Sequence, residues 1–198
     1  MSNGSDTRDQ HKPENSLKTV FLDRDGVINR KMPEGKYVSH WDHFEILPGV
    51  PEAIATLNQR GLRVIVVTNQ RGVALGLYTR AHVEMIHAQL QQQLAESGAW
   101  IDKFYFCPHD KHECNCRKPR PGLFEQAQAD FPEIEPSTSI IFGDSLSDIE
   151  FGKNLGLHTV FIGGNPEQQK IGAPTAEMIA DSTYSSFPEA VSCIFKNV

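Results

Sequence analysis

Long apolar runs are what this 198-residue sequence most plainly lacks. The longest, such as Val64-Ile65-Val66-Val67, fall far short of the roughly 18 to 20 residues that a membrane-crossing helix needs. The first seventeen residues have no apolar core of the kind a signal peptide carries, so the expected protein is soluble, intracellular and cytoplasmic. Positive charge is also in short supply. There are 19 Lys+Arg against 25 Asp+Glu, a net charge of −6, whereas a protein held to a nucleic-acid backbone needs a basic surface. No internal repeat or low-complexity block occurs. Cysteine is sparse, four residues in all, yet three of them crowd into positions 107 to 116. Where thiols stay reduced, that crowding reads as metal ligation and not as a disulfide framework.

What is present is an ordinary globular composition, 39% hydrophobic and 22% charged, in a length that suits one domain. Residues 1–16 are polar and aperiodic and read as a flexible leader, leaving 17–198 as the domain. Nothing in the sequence points to an assembly, so a monomer is expected. From Lys18 onward, short apolar runs alternate with helical patterns. Five candidate strands stand out: Thr19 to Leu22, Val64 to Val67, Phe104 to Phe106, Ile140 to Phe142 and Thr159 to Ile162. Continuous apolarity, as opposed to alternation, marks strands buried on both faces, as in a parallel sheet covered by helices.

The helices between them have readable ends. Pro51 suits a first helical position and Gly61 a stop. Thr79 suits the cap of a long helix with Val83, Ile86, Leu90 and Leu94 on one face. Pro121 opens a third helix, Ser145 a fourth, and Phe187 to Phe195 form a last one that takes Cys193 into the core beside Val191 and Ile194. This alternation predicts a three-layer, doubly wound, mostly parallel α/β fold. Only about 40 residues separate Asp25 from Thr68, and they already hold a helix, so no separate cap domain fits there.

Polar residues end the apolar strands: Asp23 the first, Thr68 and Asn69 the second, Cys107 the third and Asp144 the fourth. In a parallel sheet these ends share one edge, which is where open α/β folds bind ligands. Asp23 and Asp25 stand two apart and project to one side of an extended chain, with Gly26 free to turn sharply. Two such charges repel unless a cation joins them, and Mg²⁺ is the hard cation that oxygen ligands suit. The same four residues also read as a polar turn. Asp144 adds a third carboxylate. Ser145 and Asp148 carry capping-box spacing, which accounts for the Ser, while Asp148 fits either a cap or the site. Thr68, Asn69, Arg117 and Lys118 offer hydrogen bonds and positive charge to phosphoryl oxygens. Together the set is phosphoryl-transfer apparatus, with one carboxylate left to attack.

Cys107-Pro108-His109 followed by Cys114-Asn115-Cys116 supplies three thiolates and an imidazole within ten residues, enough to close a tetrahedral structural zinc site. His112 is a rival ligand, with His109 preferred because stiff Pro108 ties it to Cys107. Zinc there would pin the loop whose far end delivers Arg117 and Lys118.

The order Asp-x-Asp-Gly-Val, strand-Thr-Asn, Lys and Gly-Asp-x-x-x-Asp resembles the four motifs of the haloacid-dehalogenase-like phosphatases, from about Lys18 to Leu157. The resemblance implies that Asp23 is the nucleophile and that Asp25 protonates the leaving alkoxide, then activates water. It further implies that Asp23, Asp144 and the backbone carbonyl of Asp25 hold Mg²⁺ and that Thr68 and Lys118 hold the phosphoryl group. Cys-Pro-His with Cys-x-Cys-Arg-Lys-Pro is similar to the zinc-bearing branch, whose members act on D-glycero-D-manno-heptose 1,7-bisphosphate or histidinol phosphate. The stretches from Thr68 to Gly76 and from Cys116 to Gly122 look more like the heptose enzymes, in which Arg117 would contact substrate. A small phosphorylated sugar in carbohydrate metabolism is thus the implied substrate. Two departures each remove a cation: Leu75 stands where arginine is common, and Ser145 where lysine often follows Gly-Asp. Arg71 and Arg120 are the candidates to restore one, and the segment from Lys31 to Tyr37 is longer than the pattern. A rival class, the phospho-receiver switch, also carries an acidic pair, a Thr and a Lys on such a sheet, but its phospho-acceptor stands apart from the pair.

Overall fold

The pleat of a strand sends successive side chains to opposite faces, so a run such as Thr19-Val20-Phe21-Leu22 is stable only with apolar cover on both sides. The computed structural model, which describes residues 17–165, 169 and 171–195, supplies that cover. The expected leader, 1–16, lies outside the described residues. Six strands, β1 (Thr19–Leu22), β2 (Arg63–Asn69), β3 (Lys103–Cys107), β4 (Ser139–Gly143), β5 (His158–Ile162) and β6 (Ser182–Tyr184), form one sheet in the order β3-β2-β1-β4-β5-β6. Every neighbouring pair is parallel. Helices α1 (Val50–Gln59), α2 (Arg80–Ala95), α3 (Gly122–Asp130), α4 (Leu146–Leu155), α5 (Ala173–Ile179) and α6 (Phe187–Ile194) connect and cover it.

The two faces divide the strand residues by parity. Val20, Leu22, Val64 and Val66 pack with Ile54 and Leu57 of α1, Ile86 and Leu90 of α2 and Val191 of α6. Phe21, Ile65, Val67 and Ile141 pack on the other face with Leu123 and Phe124 of α3 and Phe151 of α4. Fully burying each of these large side chains contributes roughly 1.5 to 3 kcal/mol. The segment between β1 and β2 holds a 3-10 turn (Trp41–His43) and α1, with no inserted domain.

Two elements escaped the sequence. The edge strand β6 is three polar, partly exposed residues, and a strand at an edge needs no continuous apolarity. Helix α5 is a seven-residue element built on alanine and proline, with too few large apolar residues to show a period. Cys193 is a correction: it is exposed, because the helical period that turns Val191 and Ile194 inward turns residue 193 outward.

Candidate active site and metal centre

Strand order reverses beside β1, which has β2 on one side and β4 on the other, and this switch point opens a crevice at the carboxyl ends of the strands. Asp23 continues β1 by donating its N–H to Phe142 O at 2.9 Å. Beyond it the chain turns back through bonds from Ile28 N–H to Arg24 O (2.9 Å) and from Gly26 N–H to Asn29 O (2.8 Å). Gly26 adopts a φ of 100°, and a Cβ there would lie 2.3 Å from Asp144 Oδ2, so only glycine lets the two loops meet. Gly143 is constrained likewise, since a Cβ would come within 2.1 Å of Asp148 Cβ.

Carboxylate oxygens of Asp23, Asp144 and Asp148 gather within 4.8 Å of one another, and all three residues are buried. Lys118 neutralises two of them. Its Nζ lies 3.1 Å from Asp23 Oδ1 and 2.6 Å from Asp148 Oδ1, and it donates to Val67 O at 2.6 Å. Burial alone would lower its pKa, but the Asp148 and Asp23 carboxylates reverse the direction and hold it above the usual lysine value. Asp148 also accepts from Ser145, through the backbone N–H at 3.1 Å and the hydroxyl at 2.5 Å, so it is both helix cap and site residue. The dense, buried, all-oxygen donor set suits a hard divalent cation such as Mg²⁺.

The Asp25 carboxylate turns away from this trio. It accepts from Arg24 Nη2 (3.0 Å to each oxygen), Asn29 Nδ2 (3.0 Å) and Gln70 Nε2 (3.0 Å). Burial pushes its pKa up, yet the Arg24 charge and these hydrogen bonds outweigh burial and hold it below the ordinary aspartate value. Gln70 also donates to Thr68 Oγ1 at 2.9 Å and accepts from the Tyr78 hydroxyl at 2.8 Å, tying Asp25, Thr68 and Tyr78 into one buried network.

The remaining sequence candidates divide. Asn69 spends its amide on Lys118: Nδ2 donates to Lys118 O (3.2 Å) and Oδ1 accepts from Lys118 N–H (3.0 Å). It therefore orients the lysine in this structure. Arg117 is partly buried beside Lys118, with Nη1 enclosed and without a hydrogen-bond partner. Arg71 and Arg120 turn to the cysteine loop. Arg71 pairs through two nitrogens with Asp110, and Arg120 donates to Cys114 O at 2.6 Å.

That loop brings Cys107, His109, Cys114 and Cys116 together, while His112 stays outside the cluster. Cys107 and Cys114 sulfurs are 3.4 Å apart, Cys114 and Cys116 3.3 Å, and His109 Nδ1 is 3.2 Å from Cys116 Sγ and 3.7 Å from Cys107 Sγ. A disulfide would need about 2.05 Å. The edges of a zinc tetrahedron with bonds of about 2.0 to 2.3 Å measure roughly 3.5 to 3.8 Å, close to what is found. Burial and neighbouring sulfurs push the Cys116 thiol well above its usual range, because three thiols this close ionise together only around a cation. The donors therefore fit zinc.

The haloacid dehalogenase-like hydrolase family matches residues 10–156. The chain belongs to that family. Among relatives of this hydrolase, the D-glycero-alpha-D-manno-heptose-1,7-bisphosphate 7-phosphatase of Mycobacterium tuberculosis is 43% identical over 171 residues, covering 86% of this chain and 87% of that protein. The D-glycero-beta-D-manno-heptose-1,7-bisphosphate 7-phosphatase of Escherichia coli K12 is 34% identical, covering 91% and 95%. In structure, the D,D-heptose 1,7-bisphosphate phosphatase of B. bronchiseptica, solved with magnesium and phosphate, matches with a TM-score of 0.79 and 26% identity, over 92% of this chain and 100% of that one.

Four residues that the structure brings to the candidate site were missed or left undecided by sequence. Asp148 carried a signal, the second acid of Gly-Asp-x-x-x-Asp, but its capping position disguised it. Arg24, Asn29 and Gln70 surround Asp25 and are all buried. A fully buried arginine between two aspartates has no local pattern, since its neighbours include residues distant in sequence such as Phe44, whose ring centre lies 5.6 Å from the guanidinium.

Proposed function

We propose that this hydrolase is a Mg²⁺-dependent phosphatase that removes the phosphate at position 7 of D-glycero-D-manno-heptose 1,7-bisphosphate. What carries the reading is Asp23, a buried carboxylate at the switch point, set between the ammonium of Lys118 and the carboxylate of Asp144. A nucleophile so placed has its charge balanced and its approach fixed, which is what attack on an anionic phosphoryl group requires. The substrate rests on the relatives. The 43% identity to an enzyme named for the alpha anomer, against 34% to one named for the beta, favours the alpha sugar.

In this mechanism Asp23 attacks phosphorus and the sugar oxygen departs with a proton from Asp25. Water, deprotonated by Asp25, then cleaves the aspartyl-phosphate. At rest Asp25 is ionised under Arg24, Asn29 and Gln70, ready for the second step. The first step needs it protonated, and the negative charge of an arriving phosphate raises its proton affinity. Thr68, Lys118 and Arg117 orient the phosphoryl oxygens, with Asn69 holding the backbone of Lys118. Asp23, Asp144 and the Asp25 carbonyl, with Asp148 beside them, would hold Mg²⁺, which would supply positive charge to offset the phosphate's. Cys107, His109, Cys114 and Cys116 would hold a structural zinc, which would fix the loop that ends in Arg117 and Lys118. We further take residues 17–198 as one domain of a cytoplasmic monomer, which size-exclusion chromatography checks for mass.

The test is Mg²⁺-dependent phosphate release from the two anomers of heptose 1,7-bisphosphate and from histidinol phosphate, with Asp23→Asn as the inactive control. Preference for the alpha anomer supports the full reading. Preference for histidinol phosphate moves the chain to the neighbouring branch, and a persistent phosphoprotein without turnover replaces the phosphatase by a switch.

A further inference from the structure

The segment that follows Asn29 sends one side chain back into the carboxylate trio. Lys31 Nζ lies 2.5 Å from Asp144 Oδ2, and the two side chains are only 13% and 8% exposed. Its neighbours fix this direction. Arg30 donates its backbone N–H to Glu45 O at 2.8 Å and grips the Glu45 carboxylate through two nitrogens, at 2.6 and 2.8 Å. Met32 packs against the core. Between these anchors the Lys31 side chain is directed at Asp144, whereas Lys36, further along the same loop, is exposed.

Charge explains why the contact forms. Asp23 and Asp148 share Lys118, so the third carboxylate of the trio has Lys31 as its ammonium partner. A carboxylate this buried is costly without a cation. The carboxylate that Lys31 holds is one of the three gathered within 4.8 Å. Lys118 already serves Asp23 and Asp148, so a divalent cation entering the trio would meet Lys31 as a second ammonium on a buried carboxylate, and the two cations repel strongly at that range.

We propose that Lys31 is a resident counter-ion of the metal site: it occupies Asp144 until the divalent cation enters and is expelled by it. Metal binding is then an exchange of cations, and the loop from 31 to 37 loses its tether to Asp144 as the site loads. The inference rests on the metal reading given above. Because a bound competitor weakens the apparent affinity of any ligand that must displace it, Lys31 sets how much Mg²⁺ the site requires.

Calorimetric titration of Mg²⁺ into metal-free protein tests this, using wild type, Lys31→Met and Lys36→Met. Lys31→Met is expected to bind Mg²⁺ about tenfold more tightly, the size of effect that a displaced partner of modest strength produces. Lys36→Met is expected to match wild type, which excludes a general charge effect. Hydrogen exchange on wild type gives a readout that needs no variant: amides 31–37 exchange faster with Mg²⁺ than without. Equal or weaker binding by Lys31→Met, while wild type still binds, overturns the inference and leaves the metal site standing. Unchanged exchange on loading likewise overturns it. Absence of Mg²⁺ binding by all three proteins overturns the inference and the metal reading together.

Discussion

Replacing Lys118 with methionine keeps a long side chain in a 2% exposed position and deletes one ammonium. That ammonium lies 3.1 Å from Asp23 and 2.6 Å from Asp148, which are 6% and 0% exposed. Removing one partner of a buried ion pair typically costs about 3 to 5 kcal/mol, because the remaining charge stays desolvated. Against a total stability on the order of 5 to 15 kcal/mol, that is a large fraction, and urea unfolding at pH 7 reads it as a lower midpoint. The pH dependence carries a distinctive sign. In wild type the Lys118 pKa is raised above 10.5, so its contribution is fully present below that pH and is lost as pH climbs beyond it. In Lys118→Met that alkaline loss of stability is absent, because the group that titrates there is gone. Adding Asp148→Asn to Lys118→Met removes one stranded charge and restores part of the loss. An unchanged midpoint at pH 7, or a double variant weaker than the single by the full sum, would refute the charge argument. Activity of the single variant is expected to drop by about 10² to 10³, the size seen when a preorganised charge is removed.

Stripping zinc with a strong chelator should lower the melting temperature and activity in a way that zinc restores and Mg²⁺ does not; full activity of verified zinc-free protein would sink the structural-zinc reading. His87 is 5% exposed, stacked 4.5 Å from the Phe104 ring, and burial pushes its pKa down to about 3. Unfolding frees it to bind a proton at its usual 6.5, so its contribution is complete above 6.5 and lost as pH falls toward 3. Thermal melts between pH 4 and 6.5 should therefore show a shallower pH dependence in His87→Phe than in wild type. Asp25→Asn should reduce turnover by about 10² to 10⁴, as loss of a general acid and base does, and should also lower the urea midpoint because buried Arg24 loses its carboxylate; normal turnover would remove Asp25 from the chemistry. Gly26→Ala forces a side chain to within 2.3 Å of Asp144 Oδ2 at a positive φ, and weakened Mg²⁺ binding measured by calorimetry is the expected result.

Local chemistry made much of this protein legible before any fold was known. Continuous apolar runs can be satisfied only by cover on both faces, so β1 to β5 and the doubly wound class follow from sequence, as do the caps at Thr79 and Ser145. Asp144 and the Cys-x-His-x₄-Cys-x-Cys cluster stand out because an acid after an apolar strand, and thiols at ligand spacing, have few bland explanations, whereas Asp23 also reads as part of a polar turn and Lys118 is singled out by position alone. Tertiary structure alone decided the partnerships. Lys118 reaches Asp148 across 30 residues, Lys31 reaches Asp144 across 113, and Arg71 pairs with Asp110 across 39. Which cation meets which carboxylate depends on how strands from distant segments register at the switch point and on how much water remains there. A one-dimensional pattern fixes residue types and spacing. The Coulombic energy of a pair depends on distance and burial, and both come into existence only when the sheet closes.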